Sequence, residues 1–148
     1  MNILTYSYTR DDAKLRELYA AERPTWPVLE PIWFHAYPTL VGLEDDGSLV
    51  GYTSYSMNLT ENGHLIIWGK DTVVAPAHRG KGHAGAFLDA RLSIGRQLGA
   101  IMFAGTTRIN NVPMRKLLVS RNAVEQGPVP DAYPHDTPTA GVLYTIGL

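Results

Sequence analysis

The sequence predicts an α+β fold built on a mixed, mostly antiparallel sheet, and three observations carry that expectation. Two β-rich runs, 39–44 and 48–59, flank Asp45-Asp46-Gly47, and an Asp-Gly turn between such runs is a hairpin signal. A third run, 64–74, follows a turn at 58–63, which makes three adjacent antiparallel strands. That third strand leads through a glycine-rich turn into Phe87, Leu88, Leu92, Ile94 and Leu98, an apolar set at helical spacing that ends at Gly99. A short apolar run at 100–106 then reads as a buried strand parallel to its predecessor, reached by a right-handed crossover.

The remaining elements follow in order. Residues 2–8 alternate Ile3, Thr5 and Ser7 against Leu4, Tyr6 and Tyr8, as a first strand does. Thr9 is placed to cap a first helix, with Asp11 and Asp12 in the turn where the helix dipole favours acids. Its apolar face is Ala13, Leu15, Leu18 and Tyr19, and it should end near Arg23-Pro24. The aromatic stretch 26–37, interrupted by Pro27 and Pro31, reads as a short second helix or a packed loop containing Trp33, Phe34 and Tyr37. In the strand 64–74, Leu65, Ile66, Ile67 and Trp68 are expected to be buried. After 100–106, Pro113 lies near the start of a helix that continues through 115–119, and Asn122 suits a left-handed cap. Residues 124–139 are rich in Pro, Asp and Gly and read mostly as loop. Val142, Tyr144 and Ile146 alternate in a final strand over 140–148.

Composition narrows the function. A chain of 148 residues with 45% hydrophobic and 18% charged content reads as one ordinary globular domain, 1–148, with a real core. The net charge of −1 supplies no general basic field for nucleic acid or an acidic membrane, so any arginine or lysine function is local. Cysteine is absent, which excludes disulfides, thiolate catalysis and zinc–thiolate sites. No apolar run reaches membrane-spanning length and the start lacks a signal-peptide pattern, so a cytoplasmic protein is expected.

The chemistry concentrates at 71–88. A β-branched run, Thr72-Val73-Val74, is halted by Ala75-Pro76, and Arg79-Gly80-Lys81-Gly82 precedes the helix. Such a turn presents unpaired backbone N–H groups at the positive end of a helix dipole, which suits phosphate or pyrophosphate. The glycine spacing is not the dinucleotide fingerprint. Lys81 is followed by Gly82 rather than Ser or Thr, which excludes the phosphate loop of nucleotide hydrolases. The plain alternative is a tight strand–helix connection with surface charge.

What the stretch resembles is the signature of the GCN5-related N-acetyltransferase (GNAT) family, Arg/Gln-x-x-Gly-x-Gly/Ala, here Arg79-Gly80-Lys81-Gly82-His83-Ala84. The family's preceding hydrophobic-x-Val-x-Pro strand end stands here as Thr72-Val73-Val74-Ala75-Pro76, and its Asn-x-x-Ala/Met loop as Asn111-Val112-Pro113-Met114. The family's Leu-Gly-Phe helix end is replaced by Arg121-Asn122-Ala123. The resemblance covers nearly the whole chain. It implies the acyl-CoA N-acyltransferase fold, with helices on both faces of the sheet (α/β/α), and transfer of an acetyl group from acetyl-CoA to a primary amine of a small molecule or protein.

The resemblance also implies roles. Thr72, Val73 and Val74 pair with the pantetheine arm like an added strand. The amides of Arg79, Gly80, Lys81, Gly82, His83 and Ala84 hold the pyrophosphate. Asn111 bonds the pantetheine, and Arg115 or Lys116 meets the adenosine phosphates. The acceptor approaches past 26–37, Tyr52, Tyr55, Tyr133 and His135. Acids are sparse there, only Glu30, Asp131 and Asp136, which disfavours a polycation. Many members place a proton-donating tyrosine seven residues beyond the loop asparagine, and that place is Leu118 here. Around the place of the usual base glutamate stand Trp68, Gly69 and Lys70, which leaves Asp71 as the candidate base, with His64 second. Homodimerisation is common in the family.

Other chemistries are weaker. His78 and His83 flank the anion turn without a third clustered ligand and read as solvated loop histidines, so no metal is expected. No Gly-x-Ser-x-Gly elbow supports a serine hydrolase. The competing function class is a non-catalytic acyl-CoA-binding or sensing module on the same fold.

Overall fold

The computed structural model describes residues 1–29 and 33–148. Its elements run β1 (Asn2–Thr5), α1 (Tyr8–Glu22), α2 (Trp33–Ala36), β2 (Thr39–Leu43), β3 (Leu49–Leu59) and β4 (Leu65–Val74), then a 3-10 turn (Pro76–His78). The second half holds α3 (His83–Gln97), β5 (Met102–Arg108), α4 (Val112–Ser120), β6 (Val124–Val129) and β7 (Gly141–Gly147). Among the described residues seven strands form one sheet in the order β1-β2-β3-β4-β5-β7-β6. The pairs β1–β2, β2–β3, β5–β7 and β6–β7 are antiparallel and β4–β5 is parallel, as the crossover reading requires. The expected mixed, mostly antiparallel sheet is therefore present. Two compact units make up the chain, Met1–Ser56 with Lys70–Ala90, and Met57–Gly69 with Arg91–Leu148, the divisions falling within β3, β4 and α3.

The first unit packs Leu15, Leu18, Phe34, Val41, Leu43, Tyr52 and Val73 into one buried cluster. Helix α1 starts earlier than expected: Ser7, not Thr9, is the capping residue, with extended backbone. The reason is Asp11, which is buried, accepts from the Ser7 backbone N–H at 2.8 Å and pairs with Arg10. That contact satisfies an N–H which Thr9 capping would leave in the preceding strand. Ala13 is exposed rather than part of the apolar face, which is Leu15, Leu18 and Tyr19. Pro31 and Glu30 lie outside the described residues. Strand β3 packs so tightly on β4 that a Cβ at Gly51 would stand 2.1 Å from the Val73 carbonyl oxygen.

The second unit is built on β5 and β7, whose ladder runs from Met102↔Gly147 to Arg108↔Gly141. Of the four β4 residues expected inside, only Ile67 is buried; Ile66 and Trp68 are half-buried because a strand alternates its faces, and Leu65 is half-buried at the first residue of the strand. The segment read as loop contains β6. Its Gly127 (φ +118) and Pro128 disguise a strand, but a register shift between Glu125 and Gly127 absorbs the glycine, and an edge position tolerates the proline. Asn122 has φ +61, the left-handed cap expected of it.

Candidate cofactor and active site

Backbone alternation decides which groups of β4 are on offer. The Val73 carbonyl faces β3 at Gly51, and Ala75 N–H donates to Val50 O at 2.8 Å. Successive strand residues present their backbone groups to opposite edges, so Thr72 and Val74 point theirs away from β3. Two arginines meet those carbonyls: Arg23 Nη2 donates to Thr72 O at 3.4 Å and Arg79 Nε to Val74 O at 3.1 Å. Of Thr72, Val73 and Val74, Val73 thus turns its carbonyl to β3, while Thr72 and Val74 present theirs to the other edge. Further back on β4, the parallel register to β5 covers Ile66↔Met102, Ile67↔Phe103 and Trp68↔Ala104.

The turn before α3 is glycine-rich. Gly80 (φ +75) and Gly82 (φ +83) hold left-handed backbone, and a Cβ at either meets nothing within 4 Å. The glycines therefore serve conformation, not space. The first intrahelical bond of α3 runs from Ala86 N–H to Gly82 O at 3.1 Å, so the amides of His83, Ala84 and Gly85 precede the ladder and lie at the positive end of the dipole. The Arg79 N–H, by contrast, is spent on Pro76 O. The Arg79 guanidinium pairs with Glu22, so its charge is balanced in place, while Lys81 is exposed beside the turn.

Asp71 is held from two sides. Arg23 Nη2 donates to its Oδ1 at 2.8 Å and the Tyr52 hydroxyl donates to its Oδ2 at 3.0 Å. Both ion-pair partners are largely buried, at 13% and 11% side-chain exposure, so Asp71 is not a solvent-facing strand residue. Burial first, and the Asp71 charge second, push the Tyr52 hydroxyl far above the ordinary tyrosine range. Arg23 also lies over the Trp26 ring at 5.1 Å. Beside it opens a cleft of about 190 Å³ lined by Arg16, Tyr19, Arg23, Trp26 and Leu29. Tyr52 and Tyr55, expected to face an acceptor, are both buried in the core.

In the second unit, Asn111 caps α4, its Oδ1 accepting from Met114 N–H at 3.2 Å. That occupies the side-chain oxygen and leaves the amide NH₂ to donate. Arg115 is engaged within the fold. It donates to the Tyr144 hydroxyl at 3.1 Å and to Ile109 O at 2.9 Å, with Glu125 at 3.5 Å. The bond to Tyr144 and its neighbouring charge raise the Arg115 pKa. Three partners make it a brace between α4 and the sheet, while the neighbouring Lys116 is exposed. Leu118 is buried core. Tyr133 shares a hydrogen bond with Thr106 at 3.0 Å and lies under the Arg108 guanidinium, which pairs with Asp136. His135 and Asp131 are exposed.

The model of the Acetyltransferase (GNAT) family matches residues 7–121, most of the chain. The protein belongs to the GNAT family. No curated protein matches the sequence. Similar solved structures include Arabidopsis thaliana Naa50 with the bisubstrate analogue CoA-Ac-MVNAL, at TM-score 0.82, 14% identity and full coverage of both chains. Arabidopsis thaliana NAA60 with acetyl-CoA gives 0.84 at 11% identity, covering 99% of each chain. A ribosomal-protein-alanine N-acetyltransferase from Brucella melitensis gives 0.75 at 17%, covering both chains fully. At these identities the likeness is one of fold alone.

Two features of this GNAT chain escaped sequence reasoning. Arg23 and Tyr52 both converge on Asp71 from positions 48 and 19 residues away, and no local pattern encodes such a meeting. Glu44 likewise joins His78 and His83. The two histidines are partly buried, with one ring nitrogen of each, His78 Nδ1 and His83 Nε2, shut off from solvent, and are not fully solvated loop residues. Among the described residues no helix is long and apolar enough to cross a membrane.

Proposed function

We propose that this protein transfers an acetyl group from acetyl-CoA directly to a primary amine. The observation that carries the reading is one continuous stretch in which the strand edge at Thr72 and Val74 runs into a glycine-rich turn whose helix-start amides precede the hydrogen-bond ladder. A pantetheine chain is strand-like and a pyrophosphate is doubly anionic, so the two halves of the stretch suit the two halves of coenzyme A. The amides of Gly80, Lys81, Gly82, His83 and Ala84 would hold the pyrophosphate. Asn111 would donate its amide to the pantetheine, and Lys116 rather than Arg115 would meet the adenosine phosphates. Acetyl-CoA supplies the activated acetyl group; the protein supplies position and proton handling. We read the chain as a single domain, because the divisions between its two units cut through β3, β4 and α3 and not through a linker.

An ammonium acceptor must lose a proton before its nitrogen attacks, and Asp71, through a water, is the proposed base. The same carboxylate anchors Tyr52 and Arg23. Asp71→Asn should keep coenzyme A affinity and a cooperative melt, yet lower transfer at least about tenfold near neutral pH. Parent-like turnover across the pH range would remove Asp71 from the role.

The acceptor side is proposed to include the cleft at Trp26 and Leu29. Arg16 and Arg23 line it, which supports a neutral-bodied amine or a peptide amino terminus over a polyamine. Naa50, whose complex carries a peptide-bearing analogue, is similar in fold only. Mass spectrometry of the protein with labelled acetyl-CoA, pooled amines and pooled peptides tests the reading. A labelled amide is expected. A protein that binds coenzyme A but yields no product under any acceptor pool is instead the non-catalytic acyl-CoA sensor, a reading favoured by the apolar Leu118 and by an Asp71 whose oxygens are both engaged.

A further inference from the structure

Two histidines bracket the anion turn, His78 at the end of the 3-10 turn and His83 at the first residue of α3. The hairpin between β2 and β3 brings Glu44 to both. One donor atom from each of Glu44, His78 and His83 lies within 4.8 Å of the other two. His78 Nδ1 stands 3.5 Å from Glu44 Oε1 but is not aligned to hydrogen-bond it, and the atom is buried without a partner. His83 Nε2 is also buried without a partner. The two rings sit 6.2 Å apart, inclined by 57°.

Leaving one buried ring nitrogen unsatisfied is costly, and two beside the same carboxylate point to a shared partner. Donors held at about 2.0–2.1 Å around a tetrahedral ion are about 3.4 Å apart, close to the 3.5 Å separation of His78 Nδ1 and Glu44 Oε1. Two imidazoles select against magnesium and calcium, which prefer all-oxygen sites, and toward zinc and its neighbours. We propose that Glu44, His78 and His83 bind a divalent transition metal of the zinc class, with a coordination position left for water or an anion.

The three ligands belong to three separate pieces of chain, so an ion here ties the hairpin to both flanks of the turn. Its two positive charges against one carboxylate would leave a net positive charge beside the amides of the turn. The metal site does not rest on the proposed acetyl transfer, although His83 also lends its backbone amide to the turn. Only its consequence, tighter holding of a diphosphate, rests on that reading.

The experiment titrates zinc into the metal-stripped full chain without coenzyme A, in competition with a chromophoric chelator. The amino terminus should be native, because the Met1 nitrogen lies 3.8 Å from Glu44 Oε2. One zinc per chain is expected. Glu44→Gln and His78→Ala should each weaken it by at least about tenfold, and the pair together should abolish it. Glu44→Gln keeps size and shape, so a folding failure in His78→Ala leaves the test intact. His64→Ala and His135→Ala, at exposed positions, should bind as the parent does. Absence of stoichiometric zinc in the parent, or parent-like affinity in both Glu44→Gln and His78→Ala, overturns the site. A second titration, of coenzyme A with and without zinc, reads the consequence: failure there alone overturns the coupling to the turn and leaves the metal site standing.

Discussion

Gly82 allows the anion turn to be tested with its own control. Its carbonyl accepts the first bond of α3, so it occupies the helix cap, and its φ of +83 favours glycine or asparagine. Gly82→Asn and Gly82→Asp place nearly isosteric side chains there, into space where an added Cβ meets nothing within 4 Å. Both carry similar backbone strain, about 1–2 kcal/mol, and both regain part of it as cap residues. Stability should therefore be close in the two variants, with aspartate slightly ahead from the helix dipole. Coenzyme A affinity should separate them. A carboxylate about 6 Å from a phosphate charge, at an effective dielectric of about 20–40, is repelled by about 1.4–2.8 kcal/mol, or about 10- to 100-fold in affinity. The gap should narrow with added salt, since screening acts over about 8 Å at physiological ionic strength. Calorimetric titration of both folded variants at two salt concentrations reads all of this. Equal affinities for Gly82→Asp and Gly82→Asn would refute an anion site at this turn.

Three further outcomes follow from the same geometry. Gly51→Ala should cost at least about 3 kcal/mol in chemical denaturation, because its Cβ would stand 2.1 Å from a backbone oxygen that cannot swing aside. Tyr52 is held neutral in the fold, with its pKa raised above the unfolded value; its contribution is therefore fully present below about pH 10 and is lost as pH rises above it, by up to about 1.4 kcal/mol per pH unit. Equilibrium unfolding of Tyr52→Phe should show a shallower alkaline loss than the parent, and parallel curves would contradict the burial argument. Asn111→Ala should destabilise the fold by about 1 kcal/mol through the lost cap of α4, visible as a lower melting temperature, and should weaken coenzyme A binding separately if its amide reaches the pantetheine.

The sequence alone determined what is encoded by neighbours along the chain. Strand alternation, the Asp-Gly hairpin, the glycines of the turn and the proline at the start of α4 are local choices of backbone conformation, each made within a few residues. For that reason the GNAT motif, the parallel crossover and the left-handed Asn122 were all legible. Local signals also misled where a tertiary contact outweighed them. Ser7 displaced Thr9 as the cap because buried Asp11 reaches back to it, and β6 formed through Gly127 and Pro128 because β7 supplied a partner edge. Only the tertiary structure decided who meets whom. It spent Val73 on β3 and left Thr72 and Val74 to the other edge, turned Arg115 into a brace, and gave Asp71 its Arg23 and Tyr52. It also carried Glu44 to His78 and His83. These meetings join residues that lie far apart in sequence, and their energy comes from desolvation and pairing in the folded state, which no stretch of chain has by itself.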